Sequence, residues 1–212
     1  MQRVDPVSAY PPASSRTIEQ WLDPDLGSRY SAEFGTRLRE IADARAGVAA
    51  MWAAFLSLGL SAVLFALVML AVTARVDATV PWMIAGAAVA AVSALFLRRV
   101  RRWMPRPGAS VASRGPGDLR GGLWAAGAIL VALNALFAIS VLTTGDFGPI
   151  LFVDLGTVLL LASAFIVPPA IIGRSRETLR RQAAKDPRLL ATLERERLTW
   201  TPRPGTSMFG PL

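Results

Sequence analysis

Four apolar runs, residues 46–74, 78–97, 121–145 and 147–173, dominate the chain and interrupt its charged remainder. Each reaches the roughly 20 residues that cross about 30 Å of hydrocarbon at about 1.5 Å per residue. A bilayer lets only helices or closed barrels satisfy their backbone, and continuous apolar runs of this length read as helices. With 53% hydrophobic residues in 212 and a mean hydropathy of +0.42, the chain is too apolar for an ordinary soluble domain. The expected fold is an all-α polytopic integral membrane protein. Its four transmembrane helices form two tandem hairpins, 48–97 and 122–172.

The arginines set the expected orientation. Of 23 basic residues, Arg75 alone falls in a connection opposite to the termini, whereas Arg98, Arg99, Arg101, Arg102, Arg106, Arg114 and Arg120 crowd the 98–121 loop. Short loops rich in Lys and Arg stay cytoplasmic, so both termini and that loop are expected inside. Trp52, Trp82 and Trp124 fall near span ends, where aromatic belts form. The first 45 residues carry charges and prolines throughout, so no cleaved secretory signal is expected there.

Outside the spans, 1–28 reads as a Pro-rich segment and 29–47 as an amphipathic helix leading into the membrane. Tyr30, Phe34, Leu38 and Ile41 recur along that helix at three to four residues. Residues 173–198 read as basic helices, the second started by Asp186-Pro187. The end, 199–212, reads as an extended tail unable to fold alone, in which Trp200, Met208 and Phe209 offer apolar contact to a partner or to the cytoplasmic face of the bundle. The acidic pairs Asp23/Asp25 and Glu194/Glu196 alternate with arginines and read as solvated surface.

Absences exclude much chemistry. The chain has no His and no Cys, so it offers neither imidazole or thiolate ligands for haem, copper, zinc or iron–sulfur centres nor a Cys nucleophile or His base. Phosphate-binding loops and nucleophile elbows are missing too. No cofactor, no metal and no enzymatic activity are expected. A net charge of +8 would suit nucleic acid, but the cluster at Arg98, Arg99, Arg101 and Arg102, with Arg174 and Arg176 after the fourth span, abuts the membrane. It is assigned to anionic-lipid or partner contact, and nucleic acid is not expected.

Small residues mark expected helix contacts: Gly86, Ala87, Ala90, Ala91, Ser93 and Ala94 in the second span, with Ser57, Gly59 and Ser61 in the first. A 72-residue offset relates Trp52-Ala53-Ala54 and Leu64-Phe65-Ala66 to Trp124-Ala125-Ala126 and Leu136-Phe137-Ala138, suggesting duplicated hairpins. Asp154 is the lone carboxylate within the spans, and Asn134 and Thr157 are its candidate polar neighbours. The expected function is a non-catalytic accessory or scaffold subunit of a membrane complex in a bacterial plasma membrane. Expected partners are lipids, other membrane subunits or further copies of the chain. The alternative is a small transporter or channel component using Asp154 as a proton or cation site.

Overall fold

The computed structural model describes residues 10–29, 35–100, 103–106, 119–144, 148–202 and 208–212, without the side chains of 139–144 and 148–149. These residues form helices α1 (Ile18–Leu22), α2 (Pro24–Ser28), α3 (Arg37–Thr73), α4 (Val76–Val100), α5 (Leu119–Thr144), α6 (Gly148–Leu161), α7 (Val167–Ile172), α8 (Ser175–Lys185) and α9 (Pro187–Thr199). A π-helical turn, Ala162–Ile166, joins α6 to α7. The chain divides into two compact units. A polar unit takes residues 1–44, 104–110 and 175–212, and an apolar unit takes 45–103 and 111–174.

The polar unit has its own core. Ile18, Trp21 and Leu22 of α1, Leu38 and Ile41 of α3, Leu179 and Ala183 of α8, and Leu189 and Leu193 of α9 are buried together with Phe209 and Leu212. The spacing explains each contribution: Leu179/Ala183 and Leu189/Leu193 are one turn apart, so each pair forms a stripe on one helix face. Helix starts are fixed locally. Thr17 and Gln20 form a capping box on α1, Asp23 caps α2, and Asp186 accepts from the Arg188 and Leu189 amides at the head of α9.

One boundary is corrected here. The amphipathic helix expected from residue 29 begins at Arg37, and its Leu38 and Ile41 enter the polar unit's core. Tyr30 and Phe34, cited for its periodicity, lie outside the described residues. The start is set by Thr36, whose hydroxyl accepts from the Arg39 amide at 3.3 Å. The tail, expected to be extended, is buried at Phe209 and Leu212 and forms an isolated parallel bridge, Met208 with Thr36. Its carbonyls supply what the head of α3 lacks: the Arg37 amide donates to Met208 at 3.1 Å and the Leu38 amide to Phe209 at 2.9 Å. Gly210 lies against the Trp21 indole, where an added Cβ would stand 2.7 Å from a ring carbon.

The apolar unit carries four helices long and apolar enough to span a membrane: Arg37–Thr73, Val76–Val100, Leu119–Ala138 and Ile150–Ile172. Large apolar side chains such as Leu60, Ile84, Leu95 and Leu151 face outward, whereas Thr79, Ser93 and Ser163 are buried. That inverted pattern suits a hydrocarbon solvent. Helices α3 and α4 touch where glycines permit it, because a Cβ on Gly59 would stand 2.7 Å from the Gly86 carbonyl oxygen and the Ala90 nitrogen. Trp52 stacks on Phe96 between the same helices, with centroids 4.3 Å apart and planes 5° from parallel. α4 begins at Val76 and carries Pro81 within its second turn. Thr79 reinforces the first turn by donating to the Arg75 carbonyl at 2.9 Å.

The fourth span departs from a plain helix. In the π turn the Val167 amide reaches back to the Ala162 carbonyl. Pro168 and Pro169 follow and carry no N–H, so the carbonyls four residues before them lose their helical donors. One of these, Phe165 O, packs directly on Gly122 of α5, where any Cβ would collide with it.

The 72-residue offset relates positions with different surroundings. Trp52 is stacked whereas Trp124 is 80% exposed, and Ala66 is buried whereas Ala138 is exposed.

Candidate functional site

Among the described residues of the apolar unit, side-chain hydrogen bonds join different helices in two places. In the first, Ser57 and Ser61 of α3, one turn apart, meet Ser163 of the π turn, with oxygens 2.9 and 3.5 Å from the Ser163 hydroxyl. Ser163 also donates to the Leu159 carbonyl at 2.8 Å and is 2% exposed. It is a closed hydroxyl cluster whose chemistry is helix association. Sequence reasoning missed Ser163, although the Pro168-Pro169 pair signalled a break in that helix.

The second place is a carboxyl–amide pair. Asn134 of α5 donates through Nδ2 to Asp154 Oδ1 at 3.0 Å and to the Leu130 carbonyl at 3.0 Å. The hydrogen bond joins α5 to α6 and does not involve Thr157, which lies one turn further along α6. Asp154 stands four residues inside the Ile150–Ile172 span, about 6 Å from its end. Asn134 is exposed and Asp154 half-buried, so the pair lies on the outer surface of these two helices and not in an enclosed channel. Val131 and Leu151, one turn before each member, are 71% and 69% exposed.

The basic residues separate. Arg98 and Arg99 are exposed in the last turn of α4, where a cation complements the helix dipole. Arg101 and Arg102 lie outside the described residues. Arg174 is exposed, and Arg176 is half-buried on α8. Burial first, and then the nearby charge of Arg176, holds the guanidiniums of Arg39 and Arg180 below the ordinary arginine value. Arg180 is fixed by the Leu22 and Leu212 carbonyls at 2.8 and 3.0 Å.

Two acidic residues read as solvated surface have specific tasks. Glu196 accepts from Arg37 at 3.0 Å, and Arg37, 1% exposed, also donates to the Pro105 carbonyl at 2.7 Å and pairs with Glu40 at 3.1 Å. Arg37 therefore ties α3, α9 and the 104–106 segment together. Glu194 is held below its usual range by hydrogen bonds from Arg197, and an amide bond from Ile18 at the head of α1 acts in the same direction. Trp200, half-buried, meets Phe209 edge-on at 6.1 Å, and with Met208 they line a cleft of about 280 Å³ beside Trp21 and Arg197. The aromatic area expected to meet a partner is thus partly used within the chain.

Comparison with known families, with curated proteins and with solved structures found no match.

Proposed function

We propose that the protein is a non-catalytic accessory or scaffold subunit of a larger membrane assembly, residing in a bacterial plasma membrane with both termini and the 98–121 loop in the cytoplasm. The observation that carries this reading is the Asn134–Asp154 pair, a polar contact displayed on the outer face of two membrane helices. Such a group is costly in lipid and belongs against protein. The compact polar unit adds a second, cytoplasmic surface. The orientation rests on the placement of 22 of 23 basic residues on one side. Arg98, Arg99 and Arg174, at the ends of spans, are positioned to contact anionic headgroups. The lack of His and Cys supports a role without catalysis.

A transporter using Asp154 as a proton or cation site has less support, because its carboxyl is bound to a neighbouring helix at an outer face and serines elsewhere bond one another. Purification from native membranes in mild detergent separates the two. A stoichiometric second protein is expected; recovery of the chain as a homo-oligomer alone would overturn the scaffold reading and favour transport.

A further inference from the structure

The Asn134–Asp154 pair turns its acceptors, and not its donors, to further partners. Both amide hydrogens of Asn134 are used, one on the Leu130 carbonyl and one on Asp154 Oδ1, each at 3.0 Å. Neither bond uses the Asn134 carbonyl oxygen or the second carboxyl oxygen of Asp154. Hydrocarbon supplies no hydrogen-bond donor to either.

The surface around the pair has the form of a helix-binding seam. Gly127, Val131, Asn134 and Ala138 are all exposed on α5 and follow one another at intervals of four, three and four residues. That is the spacing by which one helix packs along another, with a polar residue at one position setting register. Gly127 has open space where its Cβ would be. On α6 the exposed Leu151 and Val158 flank Asp154 at three and four residues.

We propose that this face docks a transmembrane helix of a different protein carrying a lysine or arginine about 6 Å inside the corresponding end of its span. Charge complementarity selects that occupant. A second copy of this chain, related by a twofold axis along the seam, would bring Asp154 toward Asp154 and supply no cation to either pair. A purely apolar helix would leave both oxygens unpaired. The proposal rests on the scaffold reading and adds to it the chemistry of one contact.

The test uses the full chain reconstituted in phosphatidylcholine/phosphatidylglycerol vesicles, with energy transfer to labelled leucine–alanine helices of about 23 residues. One probe carries a single lysine about 6 Å from its end, and another carries leucine there. The lysine probe is expected to associate about tenfold more tightly than the leucine probe. Asp154→Asn, which keeps shape and a neutral contact, should erase that preference, and Asp154→Lys should transfer it to a probe bearing aspartate. Equal association of the lysine and leucine probes, or a lysine preference that survives Asp154→Asn, would overturn the proposal. So would self-association of the chain that excludes the lysine probe. A stoichiometric partner in native purification would stand through any of these failures, which separates this inference from the scaffold reading.

Discussion

The hydroxyl of Thr36 donates to the carbonyl of Pro211 at 2.8 Å, joining residues 175 apart in the chain at the point where the longest helix begins. The same oxygen accepts from the Arg39 amide, while Met208 and Phe209 take the amides of Arg37 and Leu38. The first orphan donors of α3 are thus satisfied by the far end of the sequence. The tail is a structural part of the polar unit.

Thr36→Ala should therefore destabilise the polar unit by about 1–2 kcal/mol, as loss of a helix cap does. Phe209→Ala, which empties a buried aromatic site, should cost about 3–5 kcal/mol. Amide hydrogen exchange is the check: protection at Arg37, Leu38 and Arg39 should fall in both variants. Unchanged protection at these amides would show that the tail does not hold the helix start.

Arg37→Ala removes a buried cation shared by Glu196, Glu40 and the Pro105 carbonyl. The acids keep partial access to water, so the loss should be about 3 kcal/mol, at the lower end for broken buried pairs. Limited proteolysis should then cleave near residues 104–106 sooner than in the parent chain. Resistance equal to the parent would contradict the tie.

In the apolar unit the glycine contacts are unforgiving. Gly122→Val places a side chain on the Phe165 carbonyl, and Gly59→Val places one on Gly86 and Ala90. In each case the atom met is backbone, so helices must separate. Both variants should lower the thermal transition in detergent by several degrees relative to substitution at Gly127, where nothing stands within 4 Å. A Gly127→Val chain as unstable as the other two would refute the contact assignment.

Acid should weaken the polar unit through two carboxylates. Hydrogen bonds from Arg197 lower Glu194 from its usual 4.5, and the Tyr10 hydroxyl, at 2.7 Å, lowers Asp23 from its usual 3.8. A depressed folded value means the contribution is complete above the unfolded value and is lost as pH falls through the folded one. Stability is therefore expected to decline below about pH 4.5, by at most about 1 kcal/mol per group because both sites are open to solvent. Arg197→Gln should remove the Glu194 share of that slope; denaturant titrations between pH 3 and 6 read it directly.

The orientation has a clean assay because the chain contains no cysteine. Single cysteines at Asp77 and Asp146 should react with an impermeant reagent from outside the cell, while one at Gly108 should not. Labelling at Gly108 would reverse the proposed topology.

Much of this protein was determined by local sequence alone. The number and rough limits of the helices long and apolar enough to span a membrane follow from apolar runs, because each is a contiguous stretch whose length and composition need no knowledge of its neighbours. The cap at Asp186 and the stripe at Leu189 and Leu193 are local in the same sense, set by residues within one or two turns. Asn134 and Asp154 were legible as candidates because a polar atom in hydrocarbon needs a partner, but their contact depends on how α5 and α6 face each other. Tertiary structure alone decided the rest. The start of α3 at Arg37 rests on carbonyls from residues 208 and 209, the burial of Arg37 on Glu196, and the exposure of the Phe165 carbonyl to Gly122 on the fold of the fourth span. No periodicity or propensity encodes these pairings, because a hydrogen bond between distant residues is specified by the whole packing that brings its two atoms within 3 Å.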